Sequence, residues 1–466
     1  MADESAADPG LLHIRGRLPS PQAHRVSGTA LFSGQATVTA SLTAKPSIAP
    51  DLNPAKFGRA VGSSGKKPKL LFITQALPQV LTDGGSIRTF KIAEALAQRF
   101  DITMVGALHA AREPSASFEA LTRLCQRVLP VPDAKDGSVR FYLNVLVQAA
   151  LKRKPPSIAY NHNSRLEKEL IRCLRWENYD VIHLNHADAG QYLRWLPQER
   201  CVIDTHNLLF DFHRKASRAA GTPWARAVHR LASRQMSCYE RAVFERCSRV
   251  LVCSREEADC LRHFHLGDRI SVIPNGVDCE YYQPDGTDYF RNPPVVIFTG
   301  NMGYFPNHDA AVFFMDRVLP LLRRDRPDVR FVIVGKGPSR DLQRMAAVLP
   351  DVTVTGAVGD VRPYLRMARV FVAPLRFGSG TRLKLLEAFS MGLPTVATRL
   401  GAEGIEGVNG EHLLLADDPA ELASEVTRLL GDEKLHVRLS RAAHGLVRTK
   451  YDWRTIGRSL LEVYGS

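Results

Sequence analysis

What this 466-residue chain lacks closes off several classes of protein before any motif is read. No run of about 18 apolar residues occurs, so no membrane-spanning helix is expected. Eight cysteines are scattered without a Cys-x-x-Cys pair, which argues against a zinc site and a disulfide framework and points to a reducing, cytoplasmic setting. The first ten residues, MADESAADPG, are acidic and have no apolar core behind a basic flank, unlike a secretory signal. No Gly-x-Gly-x-x-Gly follows the first strand pattern of either half, which removes a dinucleotide dehydrogenase.

Positive charge, in contrast, is abundant: the net charge is +14 on an otherwise ordinary composition, 45% hydrophobic and 24% charged. Such an excess suits nucleic acid, an anionic membrane face or phosphate-bearing substrates, or is simply a solvated basic surface. No module with interleaved aromatics is present, so no nucleic-acid partner is expected. Residues 140–154, RFYLNVLVQAALKRK, have an apolar body with basic ends. That is the pattern of a segment lying peripherally on an anionic membrane, or of a domain helix with one buried face.

The length has room for two or three domains. Residues 1–67 are rich in Ala, Ser, Gly and Pro without sustained periodicity and read as a disordered extension. GSSGKK at 62–67 lacks the Ser or Thr of a phosphate loop and precedes a strand, so it reads as a linker. Residues 68–285 then alternate strand and helix patterns, beginning with KLLFITQ (69–75), a loop with Gly84 and Gly85, and an amphipathic helix through 86–100. Further strands are expected at 102–105, 181–184, 202–205 and 250–253. His186 and His206 follow two of them, at the carboxyl ends where open parallel sheets bind ligands. Pro-Asn-Gly at 274–276 is turn chemistry. A second alternating region, 290–448, carries strands at 295–300, 331–335, 352–356, 370–373 and 395–397, and an amphipathic helix at 449–466 follows.

The stretch 368–404, ARVFVAPLRFGSGTRLKLLEAFSMGLPTVATRLGAEG, organises the second region. An apolar β-branched run leads through Gly378 and Gly380 into a helical segment with apolar residues at 383, 385, 386 and 389. Gly392 ends that segment and a second apolar run follows, giving a β-α-β crossover. Such a turn aims backbone N–H groups and the positive end of a helix at one point, where a phosphate is favoured, and Arg382 and Lys384 add two charges there.

This string resembles the donor-site signature of family 4 glycosyltransferases of the GT-B fold, in the version GSGTRLKxLEA. The resemblance implies an α/β protein with two Rossmann-like parallel-sheet domains facing a cleft, the acceptor on 68–285, a nucleotide sugar on 290–448, and a terminal helix crossing back. It implies that Glu387 holds the ribose as the second glutamate of the family's motif, with Ser379 where the first would stand. It implies donor contacts from the Gly335–Gly337 loop, from the loop around Val358 and from Gly378, Gly380 and Thr381. It implies a cleft histidine at His206, expected to be catalytic with Arg382 and Lys384, and on the acceptor side a cleft-facing Gly84–Gly85 loop; His186 is an acceptor-side candidate from its strand-end position.

One departure matters. Many relatives place an Arg and a Lys after the first strand of the second domain, but here GNMGYFPN has neutral Asn301 and Pro306. Arg382 and Lys384 are expected to take over the donor diphosphate, because leaving it unpaired in a partly dry cleft costs several kcal/mol. The expected activity is sugar transfer to a glycan, lipid-linked or small-molecule acceptor, with no cofactor beyond the nucleotide-sugar substrate. It is expected to retain configuration and to need no metal, since no Asp-x-Asp clamp occurs. A sugar-nucleotide 2-epimerase on the same fold and a non-catalytic carbohydrate-binding relative are the rivals.

Overall fold

The computed structural model describes residues 66–78, 83–108, 116–133, 139–151, 154–378 and 380–465. The extension up to residue 65 and Ser379 lie outside the described residues.

Continuous apolar runs become parallel strands covered on both faces. Leu70, Leu71, Phe72 and Ile73 of β1 (Lys69–Ala76) are all fully buried. Around it the first sheet gathers β2 (Asp101–Leu108), β3 (Arg127–Pro132), β4 (Val181–Asn185), β5 (Cys201–Asp204), β6 (Arg249–Val252) and β7 (Ile270–Val272), in the order β3-β2-β1-β4-β5-β6-β7. The second sheet contains β8 (Val295–Thr299), β9 (Arg330–Val334), β10 (Val352–Val354), β11 (Val370–Ala373), β12 (Thr395–Ala397) and β13 (Leu414–Leu415), ordered β10-β9-β8-β11-β12-β13. Among the described residues every strand pairing is parallel; in each sheet the order reverses beside its first strand, between β1 and β4 and between β8 and β11. The loops leaving those strands diverge there and open a crevice, the usual ligand position in open α/β sheets. β3 and β13 escaped sequence reading: RVLPVP holds two prolines, tolerable only at a sheet edge, and β13 is two residues long.

The Trp453–Val463 helix returns to the first sheet. Its Trp453, Ile456 and Leu460 share an apolar cluster with Phe90 and Leu96 of the Gly84–Leu96 helix. The approach is close, since a Cβ on Gly276 would stand 2.6 Å from Ile456 Cδ1 and 2.7 Å from the Tyr451 carbonyl oxygen. Val277 N–H donates to that same carbonyl (2.9 Å), which ties the Pro-Asn-Gly turn to the chain's return.

A buried ion pair locks the Gly84–Leu96 helix to the end of β5. Arg88, 1% exposed, donates through Nε and Nη2 to the two Asp204 oxygens at 2.9 and 2.5 Å. Its remaining N–H groups reach the Ile273 carbonyl (2.9 Å) and Asn275 Oδ1 (3.1 Å). Asp204 is held below the usual carboxylate range: burial opposes ionisation, and the guanidinium overrides it. All eight cysteines are free thiols. Among the described residues no helix is long and apolar enough to cross a membrane.

Candidate active site

In the second half the loops leaving β8, β9 and β11 converge. Gly335, at φ 146°, lies so close to the β8 loop that a Cβ would stand 1.7 Å from the Gly300 carbonyl oxygen. Gly337, at φ 73°, packs against Gly303. Both positions need glycine, one for space and one for its left-handed backbone. Val358 is half-buried in the loop after β10, against the apolar layer that also holds Tyr282.

The turn after β11 has Gly378 at φ 108° and Gly380 at φ 85°, then enters the Leu383–Ser390 helix, whose N-terminus has no side-chain cap. Arg382 is buried, with Nε 3.4 Å from the Leu400 carbonyl and Nη2 3.9 Å from Glu403 Oε2. Lys384 reaches back across the crevice. Its Nζ is 2.5 Å from Asn307 Oδ1 and 4.4 Å above the centre of the Phe298 ring, and a Cβ on Gly300 would meet it at 2.7 Å. The ammonium therefore sits at the start of the helix after β8, beside the neutral Asn301 and Pro306. Burial, and then repulsion from Arg382, lower its pKa to about 7, against the pull of Glu387. Burial raises the Glu387 carboxyl, while Lys384 and the Tyr282 hydroxyl oppose the shift. Lys384 thus interacts electrostatically with both Arg382 and Glu387, and the three side chains are buried or half-buried instead of lining an outward helix face.

Across from it, in the first half, Asp83 caps the Gly84–Leu96 helix by accepting from Ser86 N–H at 2.9 Å. A Cβ on Gly84 would stand 3.2 Å from Leu383 Cδ1 of the second half, and one on Gly85 3.4 Å from His206 Nδ1. The loop that holds these glycines therefore lies between His206 and the helix bearing Lys384. His186, at φ 73°, sits with its ring centre 5.5 Å from that of His206.

The two histidines are shifted in opposite directions. Burial works against the His186 cation, but Asp188 at 3.2 Å and Asn207 raise its pKa to about 9. His206 is lowered to about 3 by burial, against the pull of Asp204 and with further repulsion from His186 and Arg88. Its tautomer follows from Asn185. The Asn185 amide donates to the Thr74 and Thr89 hydroxyls, both at 3.0 Å, so its oxygen faces His206 Nε2 at 3.0 Å and accepts from it. Nδ1 is left as a lone-pair acceptor turned towards Gly85. Sequence reading missed Asn185 and Arg88, whose roles lie in contacts distant along the chain.

Between the halves lies a cavity of about 190 Å³, with Asp211, Lys215, Ser254 and Glu257 on one side and Thr381 and Glu403 on the other. Lys215 pairs with Glu403 across it, and Arg255 Nε with Glu406 Oε1 at 2.9 Å nearby. Thr381 Oγ1 and Glu403 Oε2 are buried without hydrogen bonds.

Comparison with known proteins bears on the family and the fold. Residues 82–281 match the family described as Glycosyltransferase Family 4, and residues 293–432 match Glycosyl transferases group 1. A phosphatidyl-myo-inositol mannosyltransferase of Mycobacterium leprae is 27% identical over 306 residues, 63% of this chain and 76% of that protein. The phosphatidylinositol N-acetylglucosaminyltransferase gpi3 subunit of Schizosaccharomyces pombe is 30% identical over 42% of this chain, and the match spans 44% of that protein. Among solved structures, sucrose-phosphate synthase of Thermosynechococcus elongatus superposes with TM-score 0.63 at 17% identity, covering 86% of this chain and 98% of that one. Anabaena Alr3699/HepE in complex with UDP gives 0.62 at 16% identity, covering 85% and 99%. At those identities the superpositions speak for the fold alone. With two parallel sheets and glycosyltransferase family matches in register with both halves, the chain is a glycosyltransferase with the GT-B fold.

Proposed function

We propose that the protein moves a sugar from a nucleotide-sugar donor to a glycan or lipid-linked glycan acceptor, with retention of configuration and without a metal ion. The observation that carries this reading is the position of Lys384. Its ammonium fills the place beside the β8 loop where neutral Asn301 and Pro306 leave a diphosphate without a cation, and Arg382 stands next to it. Two cationic side chains and the uncapped Leu383–Ser390 N-terminus supply what a metal clamp supplies elsewhere. The solved relative in complex with UDP lends support from the same fold.

In the reaction the bond from the sugar's anomeric carbon to the diphosphate oxygen breaks, and a bond from that carbon to an acceptor oxygen forms. Arg382, Lys384 and the turn amides stabilise the leaving diphosphate, whose oxygen takes the acceptor proton, so no protein base is required. Glu387, hydrogen-bonded to Tyr282, faces the ribose hydroxyls. His206 Nδ1 accepts from a substrate hydroxyl above the Gly84–Gly85 loop. The cavity at Thr381 and Glu403 admits the acceptor, and closure of the two halves excludes water.

The test is a thermal-shift panel of nucleoside diphosphates and their sugars, followed by transfer assays with the stabilising donor and NMR of the product's anomeric centre. Nucleoside diphosphate released only with an acceptor, and a retained anomer, is the expected result. Interconversion of donor sugars without acceptor would assign an epimerase instead.

A further inference from the structure

The Pro223–Phe244 helix turns two stripes to solvent. Trp224, Val228 and Leu231, spaced i, i+4 and i+7, are 77, 45 and 58% exposed. Arg226, Arg230 and Arg234 form a second exposed stripe at four-residue spacing, roughly a third of a turn round the helix from the first. From 223 to 239 the chain contains no Asp or Glu. Glu240 is fully buried and accepts from the Leu209 and Phe210 N–H groups, both at 2.8 Å, so it does not offset the arginines. The helix's inward face is already satisfied by Met236, Val243 and Phe244, all in the core of the first half. The apolar stripe therefore has no task in the fold; of the three arginines, Arg226 makes a fold contact, its Nε donating to the Ala220 carbonyl at 3.1 Å.

The arrangement also indicates what covers it. The three guanidiniums are strung along the axis over about 12 Å, at 1.5 Å per residue, and do not converge as a site for one small anion would. They run parallel to an apolar stripe headed by an indole, which suits the boundary between anionic headgroups and acyl chains. The Val139–Leu151 helix of the same half exposes Tyr142, Leu143, Leu146 and Val147, so apolar exposure recurs there.

We propose that this face docks the protein on an anionic bilayer, with Trp224, Val228 and Leu231 entering the headgroup region and the arginines pairing with lipid phosphates. The inference does not depend on which sugar is transferred. It is tested by flotation of the full-length chain with phosphatidylcholine vesicles, with and without phosphatidylglycerol. Binding to the anionic vesicles alone, reversed by salt, is expected. W224S/L231S and R230E/R234E should each weaken it by about tenfold or more, with melting temperature and nucleotide binding unchanged. The proposal is overturned if the variants float like the unaltered protein or if neutral vesicles bind equally well. It is also overturned if the protein stays off all vesicles and forms a dimer that W224S/L231S dissociates, which would give the face to a second copy.

Discussion

Lys384 makes a sharp prediction because its free and ligand-bound states must differ in proton content. With a pKa of about 7 in the free protein, it is mostly neutral above pH 8. A nucleoside diphosphate binds the ammonium form, so above pH 7 binding must take up a proton, and Kd should rise about tenfold per pH unit. Isothermal titration of the stabilising nucleotide from pH 6 to 9, in two buffers of different ionisation heat, reads both the affinity and the proton count. K384R keeps its charge throughout and should lose the slope. K384M should bind roughly 10 to 150 times more weakly at pH 6, the range of a charged hydrogen bond, and show no slope either. The nucleotide's own ionisation is common to all three proteins, so the differences between curves carry the result. Identical curves for the unaltered protein and K384R would refute the reasoning. The sign for stability is opposite: between pH 7 and 10.5 the unfolded chain binds the proton that the folded one does not. That contribution to stability therefore rises with pH, and K384M should melt higher than the unaltered protein at pH 7.

Three further outcomes follow from neighbouring contacts. R88M buries Asp204 without the guanidinium that keeps it ionised, and should cost about 3–5 kcal/mol in denaturant unfolding, with R88M/D204L recovering much of it. N185D puts a carboxylate against His206 Nε2 and should raise that imidazole's pKa by about one to three units, so kcat/KM gains an acid limb absent from the unaltered enzyme. G335A drives a Cβ into the Gly300 carbonyl and should part the β8 and β9 loops, seen as weaker nucleotide binding together with a lower melting temperature.

Both sheets were legible in the sequence because buried parallel strands are continuous apolar runs of four or five residues separated by helical patterns. The crevice around Arg382, Lys384 and Glu387 was legible because one contiguous string carries it. Where function rests on residues far apart along the chain, local pattern is silent. Arg88 reads as an ordinary polar position on an amphipathic helix, and Asp204 as the end of a strand, yet they meet in the core across 116 residues. Asn185 looks like a loop residue, and only the two threonine hydroxyls on other elements reveal that it orients an imidazole. Lys384 was expected beside the donor, but that its ammonium would lie over Phe298 and against Asn307 depends on the reach of a long side chain across the switch between β8 and β11.

The returning Trp453–Val463 helix has a consequence for biosynthesis. Arg99 and Leu461 are hydrogen-bonded across 362 positions, and the layer under Phe90 and Leu96 is closed by Ile456 and Leu460. A ribosome therefore exposes the first half with one flank of its core open throughout synthesis of the second. That half is vulnerable to premature association for the whole interval, and chaperone demand should fall on it rather than on its later-made neighbour.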